Sequence, residues 1–173
     1  MPVSDQGSLK GRYTLIPRTL IFLTCGEKVL LLRGAPHKRL WAGRYNGIGG
    51  HIEQGESVLA SARRELREEA GLEPDGLGLC GVLTVDSGTQ IGIGIFLLRA
   101  EVEMSAARSS PEGELEWVDR DNLAHLPLVE DLHVLLPVVL AWRPGDEPIL
   151  AHTTYDSQAR MCINFDTPTR TIT

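Results

Sequence analysis

Glu65, Glu68 and Glu69 sit close together in "GGHIEQGESVLASARRELREEAGL", which runs from Gly49 to Leu72. Carboxylates three and four positions apart on a helix are neighbours, so Glu65 repels both Glu68 and Glu69, at roughly 0.2–0.5 kcal/mol per pair. Selection for stability alone would place a lysine at one of these positions. The arrangement makes sense if a positive charge sits between the acids. Hard divalent cations take oxygen ligands, and Mg²⁺ combines a few carboxylates with waters and substrate phosphates.

The element that must carry these acids is a helix over Ser57–Ala70, with Ser57 placed to cap its start and Gly71 its end. On a helical wheel Leu59, Ala62, Leu66 and Ala70 form one apolar stripe that should face a core. The acids Glu65, Glu68 and Glu69 fall together beside that stripe, and Arg63, Arg64 and Arg67 take the remaining arc. A solvated charged face, with Arg64 and Glu68 as an i,i+4 pair, would account for the charges alone. Segregation of the acids along the buried edge argues instead for a ligand. The preceding "GIGGHIEQGE", with Gly49 and Gly50, is a compact loop in which backbone can approach that ligand. It fits neither GxGxxG nor a Walker A pattern, so a Rossmann site or a P-loop is not supported. His51 has no metal-ligand spacing around it and reads as a loop or surface residue.

Around this helix the chain reads as alternating strands and helices. Thr19–Thr24 and Lys28–Arg33 form a hairpin around Cys-Gly-Glu. "GAPHKRLWAGRYNGIGG" is a Gly-rich, basic and aromatic loop that leads into a short strand, a candidate binding segment. "LGLCGVLTVDS" and "QIGIGIFLLRAEVE" are strands joined by a Ser-Gly turn. "GELEWVDRDNLAHL" gives a strand and a turn of helix. "LVEDLHVLLPVVLAW" is a helix that Pro137 should kink or split. "EPILAHTTYD" and "ARMCINFDT" form a closing hairpin. The sum is a mixed α/β sheet domain.

A length of 173 residues suits one domain spanning 1–173, with a loose tail at 1–11 and a small C-terminal β extension at 145–173. A net charge of −6 argues against binding polymeric nucleic acid or acidic membranes. No secretory h-region or bilayer-length apolar run is present. Cys25, Cys80 and Cys162 form no CxxC pair and read as buried free thiols in a reduced, cytoplasmic setting. A small anionic ligand carried in with metal ions is not excluded, and a homodimer is left open.

The stretch resembles the Nudix hydrolases. Their box is Gly, five residues, Glu, seven residues, then Arg-Glu-apolar-any-Glu-Glu-any-Gly-apolar. Gly50, Glu56, Arg64, Glu65, Leu66, Glu68, Glu69, Gly71 and Leu72 fill every fixed position. The resemblance covers roughly residues 15–145 and implies an α/β/α sandwich around a mixed sheet. It implies hydrolysis of a nucleoside diphosphate linked to another group. Carried over by position, Glu65, Glu68 and Glu69 would bind Mg²⁺ or Mn²⁺. Glu56 would pair with Arg64 and brace the loop, or join the metal shell. Bound cations lower the pKa of water, neutralise phosphate charge and orient in-line attack, and a carboxylate then takes the proton. In many Nudix enzymes that acid precedes a strand ending in Trp-Val; Glu112 in "PEGELEWV" is the candidate, with Glu114 as alternate.

Secondary signatures of the ADP-ribose, diadenosine polyphosphate and coenzyme A subfamilies are not matched. "RLWAGRYNGIGGHIEQGE" and "LPLVEDLHVLLPVVL…ILAHTTYD" are similar to the oxidised-purine triphosphatase class of the family. That likeness implies that Asn46 and the acid pair Glu130 and Asp131 read a purine edge. The position of the stacking tryptophan of that class holds Leu128, which leaves Trp41 or Tyr45 to stack on a base. The resemblance thus points to a metal-dependent pyrophosphohydrolase of a purine nucleoside triphosphate, of 8-oxo-dGTP type. The alternatives are a diphosphatase of ADP-ribose or a nucleotide sugar, and a non-catalytic regulatory nucleotide binder on the same scaffold.

Overall fold

The computed structural model describes residues 11–104 and 110–166. The tail expected over 1–11 lies, apart from Gly11, outside the described residues, as does the end of the C-terminal extension from 167 on. In chain order the elements are β1 (Thr14–Cys25), β2 (Lys28–Gly34), β3 (Tyr45–Asn46), α1 (Val58–Ala70), β4 (Gly78–Val85) and β5 (Ile91–Glu101). There follow β6 (Gly113–Asp119), a 3₁₀ turn (Arg120–His125), α2 (Leu132–Ala141), β7 (Ile149–Tyr155) and β8 (Met161–Phe165). The strands form one mixed sheet in the order β3-β2-β1-β5-β4-β7-β8, with β6 on the other side of β2.

β1 is the pivot of this sheet. It starts at Thr14, five residues before the apolar run in the sequence, because Thr14–Thr24 pairs in parallel with Ile91–Glu101 of β5. Its last residues, Leu23–Cys25, pair antiparallel with Lys28–Leu30. On the edge left free further up, residues 48–52 lie alongside β1. Ile21 N–H donates to the Ile48 carbonyl at 2.7 Å and Thr19 N–H to the Gly50 carbonyl at 2.9 Å. Gly49 has φ +146°, and a Cβ there would lie 2.2 Å from the Thr19 carbonyl oxygen, so only glycine lets the loop come this close.

Alternation along β1 sends Leu20 and Phe22 to one face and Ile21 and Leu23 to the other. The first face packs Leu132, Leu135, Leu136 and Val139 of α2. The second packs Ala62, Leu66 and Ala70 of α1. This is the α/β/α layering expected. Each fully buried leucine contributes about 1.5–3 kcal/mol, far more than a 13-residue helix gains from propensity.

Several expectations are corrected. Leu59 is not in the buried stripe; it is 40% exposed. The buried face of α1 is Ser61, Ala62, Glu65, Leu66, Glu69 and Ala70, turned so that it includes two of the acids. Ser61 fits there because its hydroxyl donates to the His51 carbonyl at 3.2 Å. Pro137 does not split α2, which runs unbroken from Leu132. Proline removes only the donor to the His133 carbonyl, and both residues are on the exposed side, where water serves. The helix also starts later than the apolar run, because Leu128 and Val129 extend beside Tyr45. Only Cys80 is a buried thiol, its pKa pushed up to about 12 by burial; Cys25 is half-buried and Cys162 exposed. The C-terminal hairpin, expected as a β extension, extends the main sheet. Ile149–Thr153 pairs in parallel with Gly81–Val85, and a Cβ on Gly81 would lie 2.3 Å from the Ile149 carbonyl oxygen. Among the described residues no helix is long and apolar enough to cross a membrane.

Candidate active site

Arg64 organises the acids of α1. Its Nε donates to Glu56 Oε1 at 2.7 Å and its Nη2 to Glu56 Oε2 at 3.0 Å. Nη1 reaches Glu65 Oε1 at 2.8 Å and Glu68 Oε2 at 3.3 Å, and Nη2 also donates to the His51 carbonyl at 3.0 Å. Of the two roles left open for Glu56, this conformation shows the pairing with Arg64. That fork, with a further hydrogen bond from the Glu53 N–H, holds the Glu56 carboxyl down to about 2. The same partners raise the Arg64 pKa above its ordinary value.

The acids differ sharply in environment. Glu68 is largely exposed; Glu65 and Glu69 are buried, at 8% and 9% exposure. Gly50 makes room for Glu65, since a Cβ there would lie 2.4 Å from its Oε1. Glu69 has no ion pair among the described residues; its one hydrogen bond comes from the Gly49 N–H at 3.3 Å. Burial pushes its pKa up to about 7. The Gly49 bond opposes this, Glu65 and Glu112 raise it further, and Lys38 lowers it. Gly49 and Gly50, expected at the substrate, are thus the walls of the carboxylate cradle.

Among the described residues no three Asp, Glu, His or Cys side chains already form a cage for a metal ion. The reason is visible in Arg64, which draws Glu56, Glu65 and Glu68 onto its guanidinium. The donors nevertheless fit a hard cation. They are all carboxylate oxygens, and Glu69 lies buried beside Glu65 with no ion pair among the described residues.

Glu112 lies in the turn before β6, paired with Lys38. Its charge is felt at Glu69, whereas that of Glu114, opposite Arg33 on β2, is felt at Tyr45. Tyr45 is not available to stack on a base: it is buried, and its hydroxyl donates to Glu116 at 2.6 Å. Leu128, 2% exposed, is core. His51 is exposed, as read from the sequence, and Arg18 holds its ring through Nη2 at 2.9 Å.

Glu130 and Asp131 line a cavity of about 260 Å³ together with Trp41, Arg18 and Arg44. Asn46 is not among its lining residues, and its Oδ1 accepts from the Gly47 N–H at 2.8 Å. Burial raises the Asp131 pKa, with Glu130 adding to the effect, and Asp131 Oδ1 is buried without a partner among the described residues. Sequence reading missed Arg18, Arg44, Thr153, Tyr155 and Met161 in this lining. No local signal marks them, because the β4–β7 pairing is what brings the last three there. A larger cavity of about 450 Å³, between the 3₁₀ turn and α2, contains none of the α1 acids.

The description of the NUDIX domain matches residues 14–139. The chain belongs to the Nudix hydrolase family. This Nudix hydrolase is 29% identical over 123 residues to an oxidized purine nucleoside triphosphate hydrolase of Mus musculus, covering 70% of this chain and 78% of the relative. It is 30% identical over 138 residues to the NAD-capped RNA hydrolase NudC of Pseudomonas aeruginosa, covering 79% of this chain and 48% of the relative. A solved structure of a mutator MutT protein from Bacillus halodurans superposes with a TM-score of 0.73 at 25% identity, covering 88% of this chain and 98% of that one. Nudix hydrolases generally use divalent metals such as Mg²⁺, and the box helix of this one carries the intact acid set.

Proposed function

We propose that this Nudix hydrolase is a metal-dependent pyrophosphohydrolase that cleaves a purine nucleoside triphosphate, of the 8-oxo-dGTP type, to monophosphate and pyrophosphate. The observation that carries this reading is the buried Glu69, without an ion pair among the described residues, beside Glu65 on a helix whose other two acids, Glu65 and Glu68, pair with Arg64. In this reading Glu65, Glu68 and Glu69 hold Mg²⁺ or Mn²⁺, which when bound neutralises phosphate charge and acidifies water. Arg64 and Glu56 fix the loop against α1. Gly49 and Gly50 set the carboxylates and the phosphates at close range. Glu112 accepts the proton. Glu130 and Asp131 meet the base, with Asn46 at the entrance to the loop. The likeness to the oxidised-purine hydrolase supports the substrate class, and the exposed free thiol Cys162 supports a reducing, cytoplasmic setting. The likeness to the NAD-capped RNA hydrolase supports a second reading, cleavage of a nucleoside diphosphate derivative such as ADP-ribose or a nucleotide sugar.

A panel of nucleoside triphosphates, ADP-ribose and nucleotide sugars at micromolar concentration, with product identification and an EDTA control, tests this. Release of pyrophosphate from purine triphosphates, abolished by EDTA, is expected. Asp131→Ala should lower kcat/KM for purine triphosphates selectively, by roughly tenfold or more, because a buried group built to pair with one base rejects others by being left unpaired. Equal losses on all nucleotides would make Asp131 structural.

The position of Glu112 gives a second result. Glu112→Gln should lower kcat more than it raises KM, by roughly 10²–10⁴-fold, as for a proton acceptor used in the transition state. Glu114→Gln should do little, since its charge acts on Tyr45. The reverse pattern would move the role to Glu114, and silence at both would move it to a box glutamate.

A further inference from the structure

The match to the NUDIX domain description covers residues 14–139, and the cavity beside Asp131 is completed by residues beyond that span. Thr153 and Tyr155 come from β7 and Met161 from β8. Successive side chains on a strand alternate between faces. On β7, Ile149 and Ala151 are buried in the core under α2. Thr153 and Tyr155 continue the same face into the cavity, across from the residues that precede α2.

Two buried polar atoms at this cavity have no hydrogen-bond partner among the described residues: Asp131 Oδ1 and Thr153 Oγ1. Thr153 is 1% exposed, so bulk water does not satisfy its hydroxyl. The neighbouring Thr84 hydroxyl, by contrast, is bonded to His152 Nδ1 at 2.8 Å. A buried hydroxyl without a partner works against folding, and valine fills the same volume without that cost. The Thr153 hydroxyl therefore has no structural task that the fold reveals. Its strand is fixed independently, through pairing with Val85 and a bond from the Asp86 N–H to the Thr153 carbonyl at 2.9 Å.

The same cavity presents two exposed aromatic side chains, Trp41 and Tyr155, from opposite ends of the chain. Trp41 has φ +60°, a conformation that bulky residues rarely adopt. It is held there by an Arg44 N–H bond to its carbonyl at 3.0 Å, against Gly34, where a Cβ would lie 2.5 Å from that carbonyl oxygen. Leu128 and Tyr45 are both in the core, so any flat ligand here must stack on Trp41 or Tyr155.

We infer that the β7–β8 hairpin is the second half of the base site: Tyr155, with Trp41, supplies the stacking surface, and the Thr153 hydroxyl hydrogen-bonds the base edge beside Asp131. The inference rests on the reading that the substrate is a nucleotide, and it names the recognised group as a flat heteroaromatic base with a polar edge. A threonine hydroxyl both donates and accepts, so it distinguishes bases by the groups on that edge. Stacking on Tyr155 is tolerant, because every base has a π-face.

The test compares Thr153→Val, Thr153→Ser and Tyr155→Leu with the full wild-type chain. Measured are kcat/KM on purine and pyrimidine triphosphates and on ADP-ribose, and thermal stability without nucleotide. Thr153→Val should lose about tenfold in kcat/KM on the preferred base only, with unchanged or raised stability, and Thr153→Ser should restore the preference. Tyr155→Leu should lose about tenfold on all bases alike. A Thr153→Val protein that melts lower while keeping its base preference overturns the inference, because the hydroxyl is then structural. A Tyr155→Leu protein with wild-type KM overturns the stacking role. If ADP-ribose is cleaved and triphosphates are not, the triphosphatase reading fails, and the same comparison on ADP-ribose and its guanosine, cytidine and uridine counterparts still decides the hairpin's role. No turnover or binding of any nucleotide overturns both.

Discussion

Glu69→Gln is expected to cut turnover by at least about a hundredfold while making the metal-free protein more stable. The loss follows from removing a carboxylate that would hold the divalent cation against the reacting phosphates, and losing one such electrostatic contribution typically costs about 10²–10³ in kcat. The gain follows from burial. In the folded protein the Glu69 carboxyl is pushed from 4.5 to about 7. Below the ordinary value both folded and unfolded chains carry the proton, and Glu69 has no effect. Between 4.5 and 7 the unfolded chain ionises first, so stability falls as pH rises, and above 7 the full penalty remains. At pH 8 that penalty is on the order of 2–3 kcal/mol. Glutamine keeps the oxygen that accepts from Gly49 and removes the charge. Thermal melts in EDTA from pH 5 to pH 8 should therefore diverge, the wild type losing stability and the variant not. Mg²⁺ at pH 8 should stabilise the wild type and leave the variant unmoved. Coincident melting curves at every pH would show that Glu69 is not a buried charge at all. On the acid side Glu56 acts in the opposite sense. Its carboxyl is held at about 2, so its contribution is present above 4.5 and lost as pH falls through 2. The metal-free fold should be most stable in weak acid, between these two windows.

Arg64→Met should lose both activity and stability, which separates it from Glu69→Gln. The aliphatic stem is kept, but Glu56, Glu65 and Glu68 lose their common cation and the His51 carbonyl loses a donor. Removing one side of such a network leaves a buried acid, Glu65, unpaired, and about 2 kcal/mol or more of stability should go with it. Activity should fall by roughly tenfold or more, because the glycine loop and α1 are no longer locked together. Arg64→Lys should recover charge but not the two-pronged geometry, and so only part of the loss. Melts and steady-state rates on the three proteins decide this. Wild-type stability in Arg64→Met would mean that the acids relax into solvent without it.

The carboxylate helix was legible because its signals are local. Ser57 caps it through Ala60 N–H, Gly71 ends it at φ +67°, and the spacing of the acids is written in the chain. Its rotation was not legible. Leu59 looks like core and Ser61 like surface until the His51 carbonyl is placed beside Ser61, and that depends on the loop lying along β1. The hairpins were legible for the same local reason. The parallel pairings of β1 with β5 and of β4 with β7 were not, since parallel partners lie far apart in sequence and no turn residue announces them. The cavity beside Asp131 suffers most from this: Glu130 and Asp131 could be named from one segment, whereas Thr153 and Tyr155 reach it only through the β4–β7 pairing. Tyr45 was misread because the acid that takes its hydroxyl, Glu116, lies on β6, two strands away.

The glycine loop shares its hydrogen bonds with β1, the strand on which both cores are built. Loops that carry chemistry commonly belong to the least protected part of a protein and open on their own. Here Ile48 and Gly50 cannot leave without unzipping Ile21 and Thr19 from the edge of the central sheet. The loop therefore belongs to the same cooperative unit as the core, and its amides share the core's free energy of opening. Damage to the packing of β1 thus reaches the carboxylate cradle directly, and a variant that merely loosens Phe22 or Leu23 will look like a defect in catalysis.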